Sequence, residues 1–183
     1  ERPLRLQMPR PTKGSFRLLT PNGLEVAYQE LEDQIVVSDS SLNVPSMGYL
    51  ALAVVAGSPK QVKSALKASA SSLENEHLSI KIASDGTLQS VFDKSAAREI
   101  LAGRGNQIWA YTDIPREWDA WEIDASYVQD GIELLATSKP KLEYNGALEA
   151  SILVERRFNN AVIEQRYWLR AGSRRLDIET HIR

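Results

Sequence analysis

Hydrophobic and polar residues alternate with a period of two over most of the chain. The segment Leu78–Ile82 places aliphatic side chains on one parity and polar ones on the other, and the same alternation runs through residues 152–158, 161–169 and 176–182. Successive side chains of a strand point to opposite faces, so each pattern predicts a strand with one buried and one solvated face. Because such strands are typical of antiparallel sheets, the sequence predicts an all-β protein of about a dozen strands.

Turn-forming residues lie between these alternating segments. They are PNG at residues 21–23, DG at 85–86 and NN at 159–160. Asn, Asp and Gly tolerate the positive φ angles that tight hairpins require. The three positions are therefore predicted to be hairpin turns.

A change in composition divides the chain. Residues 59–72 (PKQVKSALKASASS) are rich in Ala, Ser and Lys and contain no aromatic residue, which predicts a linker or a short helix. This segment separates a small β unit at 15–58 from a larger β unit at 73–183. Residues 1–14 contain three prolines and are predicted to form an extended arm on the surface.

Charge and hydropathy favour neither nucleic acid nor a membrane as a partner. The net charge is −2, from 22 basic and 24 acidic residues among 183, so nothing favours binding to nucleic acid or to an anionic membrane. The pairs Arg156-Arg157 and Arg174-Arg175 are too short to form a basic patch, and we interpret them as solvated strand ends. The longest apolar run, residues 49–56, is far shorter than the ~20 residues of a membrane span.

The chain contains no cysteine, which excludes disulfides, cysteine–zinc sites and a thiol nucleophile. This composition is compatible with a cytoplasmic location, which we take as the expectation. The sequence starts at Glu1 and stops at Arg183 within a strand pattern. We therefore expect the chain to be a piece of a longer protein, and its oligomeric state stays open.

The segment YTDIPREWDAWEID, residues 111–124, carries the candidate chemistry, and we call it the tryptophan–acid loop. It contains two tryptophans and five carboxylates, and Pro115 indicates a loop rather than a regular strand. Asp119 and Glu122 are three residues apart, so one turn of chain could bring them near the ~5–5.5 Å separation of a retaining glycosidase. Catalytic pairs usually come from separate elements, so contact with a sugar, or plain packing of the indoles at the end of a sandwich, is favoured over catalysis.

Other sites are predicted to be structural. His181 shares a strand face with Asp177 and Glu179, but solvated strand faces often collect such residues, and we predict no metal ligand here. Neither a G-x-S-x-G motif nor a glycine-rich phosphate loop is present. Trp168 lies on the solvent parity of its strand and is predicted to mark a surface between domains.

Several motifs together resemble the α-mannosidases of glycoside hydrolase family 38. Residues 71–101 contain LEN, a DG hairpin and DK…REIL, and residues 105–124 contain GN…D-x-P…WDAW-x-ID. These are similar to the start of the large C-terminal β-domain of that family. Residues 165–182 are similar to a later strand of the same domain, and residues 15–56 resemble the small β-domain that precedes it.

The resemblance implies a fold and a parent activity. The fold would be a small Ig-like β-sandwich followed by part of a large antiparallel, galactose-mutarotase-like super-sandwich. The parent would be an exo-acting, retaining α-mannosidase with a separate catalytic barrel that holds an Asp nucleophile, a second acid and a zinc ion. None of those motifs occurs here, so no catalytic residue, cofactor or metal ligand is assigned to this chain, which is expected to be inactive alone.

The expected partners are the parent's barrel and an α-mannoside. The resemblance implies that the tryptophan–acid loop reaches toward the barrel, so its candidates for lining the substrate side or the domain seam are Tyr111, Asp113, Arg116, Trp118, Asp119 and Trp121. Two alternatives stay open. The chain could be a free-standing carbohydrate-binding module, or a purely structural or interaction domain.

Overall fold

The computed structural model describes residues 4–39, 42, 44–115, 117–118 and 120–183. The first strands are β1 (Leu4–Pro9), β2 (Phe16–Leu19), β3 (Glu25–Val26), β4 (Tyr28–Leu31), β5 (Gln34–Asp39) and β6 (Ala53–Ala56). The strands that follow are β7 (Lys67–Ser69), β8 (Ser72–Glu74), β9 (Leu78–Ile82), β10 (Leu88–Asp93), β11 (Arg98–Glu99), β12 (Trp109–Ala110), β13 (Ile132–Glu133), β14 (Lys141–Asn145), β15 (Glu149–Phe158), β16 (Ala161–Arg170) and β17 (Leu176–Ile182). A 3-10 helix spans Ala125–Asp130.

Every pairing between these strands is antiparallel, which confirms the predicted all-β fold. The strands form sheets in the orders β1-β5-β4, β3-β2-β6, β11-β10-β9-β8-β7, β12-β13 and β14-β15-β16-β17. No helix in the described residues has the length and apolar character needed to cross a bilayer.

The two N-terminal sheets pack face to face as a small β-sandwich. Their shared core consists of Phe16, Leu18, Val26, Ile35 and Val37. The ring of Phe16 stacks on that of Tyr28, with centroids 4.6 Å apart, and the Tyr28 hydroxyl donates to the Phe16 carbonyl at 2.7 Å. Phe16 and Leu18 of β2, and Ile35 and Val37 of β5, therefore face this core from alternate positions of their strands, as the period of two predicts.

Two predicted boundaries differ from the structure. Residues 4–9, predicted as part of a surface arm, form β1 and pair along the whole of β5. Residues 59–66 contain no regular element, and the chain then enters β7 and β8, which belong to the large sheet. Residues 67–72 thus pair with the large sheet instead of forming a linker or a helix, because their small side chains allow the backbone groups to pair as an edge hairpin.

The larger unit buries its core between the five-stranded and four-stranded sheets. The core comprises Leu73, Leu78, Ile80, Ile82, Leu88, Val91, Ala150, Ile152, Val154, Tyr167 and Leu169. At roughly 1.5–3 kcal/mol for each large apolar side chain, this burial is the main stabilising term of the unit. The predicted hairpin turns also form, with positive φ at Gly23 (82°), Gly86 (81°) and Asn159 (52°).

The two units dock through Gln29 of β4. Its Nε2 donates to the Glu149 carbonyl at 3.1 Å, and its Oε1 accepts from the backbone amides of Leu148 (2.9 Å) and Glu149 (3.0 Å). Val36, on the face of β5 opposite to the small core, is fully buried as well. The Gln29 side chain therefore joins the two units through three specific hydrogen bonds.

Glu99 closes the return from β10 to β11 and makes stability pH-dependent. The Ser90 hydroxyl donates to its carboxylate at 2.6 Å, and the backbone amide of Val91 donates at 2.8 Å. These bonds, that from Ser90 foremost, lower the pKa of Glu99 from 4.5 to about 2. Because the folded pKa is the lower one, the stabilisation is fully present above pH 4.5 and is lost as the pH falls toward 2.

We expect Glu99→Gln to unfold at a lower urea concentration than wild type at pH 7, and the two midpoints to converge near pH 2. Urea titrations at several pH values measure this. Ser90→Ala is a partner variant that should raise the pKa of Glu99, since it removes the strongest of these bonds. A midpoint difference that stays constant from pH 7 to pH 2 would contradict the assignment.

Candidate functional site

The tryptophan–acid loop rises from a short ladder between β12 and β13. Trp109 pairs with Glu133 and Ala110 with Ile132, and the Leu134 amide donates to the Ile108 carbonyl at 2.8 Å. The loop then ends in the 3-10 helix, for which the Asp124 carboxylate accepts from the Ser126 amide at 2.9 Å as an N-cap. The described residues of 113–124 form no strand, as the sequence predicts, and the two stems of the loop pair with each other.

Aromatic rings stiffen the base of the loop. Tyr111 stacks on Trp109 with centroids 6.2 Å apart and meets the edge of Tyr127 at 5.1 Å. A Cβ at Gly131 would come within 2.6 Å of the Tyr111 ring, so the backbone of the returning stem lies directly against it. Tyr111 is 43% exposed, and its ring joins the two stems of the loop through these contacts.

The two tryptophans of the loop point into solvent. Trp118 is 64% exposed and Trp121 is 91% exposed. The Trp118 carbonyl accepts from the backbone amides of Trp121 (3.3 Å) and Glu122 (3.1 Å), which forms the single turn that their spacing suggested. The rings therefore do not plug the end of the sandwich.

Further apolar side chains surround the tryptophans. Between residues 109 and 132 the exposed large hydrophobic residues are Trp109, Tyr111, Ile114, Trp118, Trp121, Ile123, Val128 and Ile132. Exposed apolar side chains scattered singly are ordinary, but such a concentration in one segment is typical of a surface that another molecule covers. We call these residues the apolar loop surface.

The acidic residues of the loop that the structure describes make local contacts. Glu122 accepts from the Glu117 amide at 3.2 Å, and Asp124 serves as the helix cap. Asp113 borders a small cavity of about 70 Å³ beside Asp124 and Tyr127. The candidates Arg116 and Asp119 lie outside the described residues.

A buried arginine anchors the loop from below. Arg156 is fully buried, whereas the sequence analysis placed it at a solvated strand end. Its Nε donates to the Leu134 carbonyl at 2.9 Å, its Nη2 to the Gly86 carbonyl at 2.7 Å and its Nη1 to Gln165 Oε1 at 2.7 Å. The prediction was wrong because Arg156 occupies the inward parity of β15, two residues after Val154.

Asn106 extends this cluster to the other stem of the loop. Its Nδ2 donates to Gln165 Oε1 at 3.0 Å and to the Tyr167 hydroxyl at 2.6 Å, and that hydroxyl donates to the Gly86 carbonyl at 2.8 Å. We call Asn106, Arg156, Gln165 and Tyr167, with the carbonyls of Gly86 and Leu134, the arginine network. It ties Asn106 before β12 and Leu134 after β13 to the same two strands, so the loop stands on a rigid base.

Sequence reasoning missed the arginine network, although a signal was present. Arg156 and Gln165 each interrupt an otherwise apolar parity, at inward positions of β15 and β16. A polar residue on a buried parity must find hydrogen-bond partners, since a buried unpaired group costs about 1–3 kcal/mol. Which partners it finds depends on segments far away in the sequence.

A family model described as the C-terminal domain of glycosyl hydrolases family 38 matches residues 73–183. The chain belongs to family 38. This finding confirms the resemblance of the LEN, DG and WDAW motifs. The matched residues contain the whole tryptophan–acid loop and the whole arginine network, so both are parts of a family 38 C-terminal domain.

Two relatives agree with this assignment. The chain is 27% identical over 118 residues to alpha-mannosidase G of Dictyostelium discoideum, covering 60% of this chain and 11% of that protein. Its fold matches the crystal structure of an alpha-mannosidase from Enterococcus faecalis V583, with a TM-score of 0.62, 15% sequence identity and coverage of 98% of this chain and 28% of that one. The chain thus spans a minor part of the length of both relatives.

The zinc ion implied by the family 38 resemblance finds no fitting ligands in the described part of this chain. The carboxylate of Asp177 is bound by the guanidiniums of Arg170 and Arg175, the latter with its Nε at 2.6 Å. His181 lies 3.0 Å from Glu179, and this hydrogen bond is the main cause that lowers the pKa of Glu179. No group of three His, Asp or Glu residues among those described could hold a metal ion.

Proposed function

We propose that the chain is the non-catalytic β-domain segment of a retaining, metal-dependent exo-α-mannosidase. In this role it supports a separate catalytic domain, and the tryptophan–acid loop contacts that domain beside the substrate cleft. The zinc ion and the bond-cleaving carboxylates would belong to the catalytic domain. Membership of family 38 supports the parent activity, and the names of the relatives agree with it.

One observation carries the role of the loop. Trp118 and Trp121 are exposed on a segment whose two stems are fixed by the arginine network. Two exposed indoles on an ordered base contribute little to the stability of the chain alone, because their apolar surface stays in contact with water. They suit a surface that is covered by a partner domain or a sugar ring, since broad, stiff aromatic rings give large contact area at low cost in side-chain entropy.

The first test compares the chain with its full-length parent. We expect the parent, supplied with zinc, to release mannose from an aryl α-mannoside, and the 183-residue chain to release none under the same conditions. The second test places Trp118→Ala and Trp121→Ala in the parent. We expect kcat/KM to fall about tenfold, which corresponds to the loss of one well-packed aromatic contact.

Leu24→Ala is the matched control, because Leu24 is 59% exposed and lies in the small β-sandwich, away from the loop. A rise in KM in the tryptophan variants would indicate contact with the substrate. A lower unfolding temperature of the parent with unchanged KM would indicate docking against the catalytic domain. Mannose release by the chain alone, or tryptophan variants that match Leu24→Ala in both measurements, would contradict the proposal.

A further inference from the structure

A second concave site lies at the seam between the two units. A cleft of about 640 Å³ separates the β4–β5 turn, which contributes Glu32, Asp33 and Gln34, from the outer face of the four-stranded sheet. We call it the seam cleft. Its volume falls within the range of roughly 300–1,000 Å³ that small-ligand sites occupy. None of its described lining residues belongs to the tryptophan–acid loop.

An aromatic wall forms one side of the seam cleft. Trp168 and Tyr144 stack with centroids 5.3 Å apart and ring planes 16° from parallel. The Trp168 indole donates to Glu179 Oε2 at 3.2 Å, which fixes the orientation of the ring. The sequence predicted Trp168 to mark a surface between domains, and the structure places it in the cleft between the two units. Stacked aromatic rings with a polar edge suit the apolar faces of pyranose rings.

The charged side chains beside this wall are held in place by ion pairs with one another. The guanidinium of Arg166 binds Glu143 through two hydrogen bonds, of 2.8 Å and 3.1 Å. Arg170 binds the buried Glu149 at 3.2 Å and also Asp177. Fixed donors and acceptors lose little conformational entropy when a ligand binds, so this face is preorganised for hydrogen bonding.

The charges around the cleft select against anions. The described lining residues include four carboxylates, from Glu32, Asp33, Asp177 and Glu179, against the two guanidiniums, which are already paired. A phosphate or a sulfated glycan would meet net negative charge and would have to displace internal ion pairs. A neutral ligand rich in hydroxyl groups meets donors and acceptors on both walls without that cost.

We propose that the seam cleft is a non-catalytic binding site for a short neutral oligosaccharide, with Trp168 and Tyr144 as its stacking wall. The ligand lies between the β4–β5 turn and the strands β16 and β17. The location does not depend on the proposed function. Only the choice of an α-mannoside as the first probe rests on the proposed function, because an α-mannosidase acts on α-mannosides.

The test uses the indole N–H signals of the four tryptophans in the 183-residue chain, followed by NMR while α-mannobiose is added. We expect the Trp168 signal to move and saturate with a Kd on the order of 1 mM, while the Trp118 and Trp121 signals stay in place. Trp168→Ala should weaken binding about tenfold. Tyr49→Ala is the matched control that should not weaken it, because Tyr49 is 87% exposed and lies outside both the seam cleft and the tryptophan–acid loop. Asp33→Ala, at the exposed turn across the cleft, should also weaken binding and carries little risk to folding.

Other outcomes separate the two proposals. Saturable binding that is lost in Trp121→Ala and kept in Trp168→Ala would overturn the cleft site and support sugar contact at the loop. Binding of maltose instead of α-mannobiose, with the same dependence on Trp168, would keep the cleft site and contradict the mannosidase-based choice of probe. The seam-cleft proposal would be overturned if the Trp168 signal did not move at a sugar concentration about ten times the expected Kd, or if it moved only when a basic peptide was added.

Discussion

Gly86→Ala is expected to lower the free energy of unfolding by about 4 kcal/mol, a large part of the roughly 5–15 kcal/mol that stabilises a typical domain. The backbone of Gly86 has a φ of +81°, a conformation that L side chains rarely adopt. A Cβ there would also lie 2.5 Å from Val154 Cγ1 and 2.9 Å from Arg156 Nη2. Because both neighbours are buried, neither can move away without disturbing the core.

Gly23→Ala is the matched control for this variant. Gly23 has nearly the same φ, +82°, but an added Cβ would meet no atom within 4 Å. Gly23→Ala should lower the free energy of unfolding by about 1 kcal/mol, which is the cost of placing an alanine at this positive φ. The difference between the two variants in urea denaturation therefore measures the packing around Gly86, and equal costs would show that the contacts with Val154 and Arg156 are unimportant.

Arg156→Met is expected to destabilise the chain by about 3 kcal/mol. Methionine fills much of the same volume but donates no hydrogen bond, so the carbonyls of Leu134 and Gly86 and the amide oxygen of Gln165 each lose a charged donor. The Gly86 and Gln165 oxygens keep Tyr167 and Asn106 as donors, which limits the loss. Apolar replacement also removes the cost of burying a charge, which keeps the expected effect below that of a broken buried ion pair.

Arg157→Met is the control, since Arg157 is the next residue along β15 and its side chain is 61% exposed on the opposite face. Its effect should stay within about 0.5 kcal/mol. Hydrogen exchange gives a second measurement, because Arg156 holds the carbonyl that follows β13. In Arg156→Met the amide of Leu134, which donates to the Ile108 carbonyl, should exchange faster. Equal exchange in both variants would show that the arginine network does not anchor the loop.

Local sequence patterns predicted the elements of the fold well. The alternation in Leu78–Ile82 and in residues 161–169 determines which side chains face the core, because strand geometry fixes side-chain direction at every second residue. The turns at Gly23, Gly86 and Asn159 were predictable for a similar reason, since positive φ depends on the residue itself. The motifs of residues 71–124 added the family, which periodicity could not supply.

Other features depend on contacts between distant segments. β1 forms because β5 offers it a free edge, and proline-rich composition near the N-terminus pointed instead to an arm. The linker prediction at 59–72 failed for its last residues, because β8 pairs with β9 once the large sheet exists. Whether an apolar segment is a strand or a connection is thus settled by the partner it meets.

The sequence by itself determined the all-β architecture, the inward parity of most strands, the hairpin turns and the membership of family 38, since each of these follows from neighbouring residues or from local motifs. Only the tertiary structure decided that Arg156 is buried beneath the tryptophan–acid loop, that Trp118 and Trp121 stand in solvent, and that Trp168 faces a cleft. The physical reason is that burial, hydrogen-bond partners and cavities arise from contacts between residues such as Gly86 and Arg156, which are 70 positions apart in the chain.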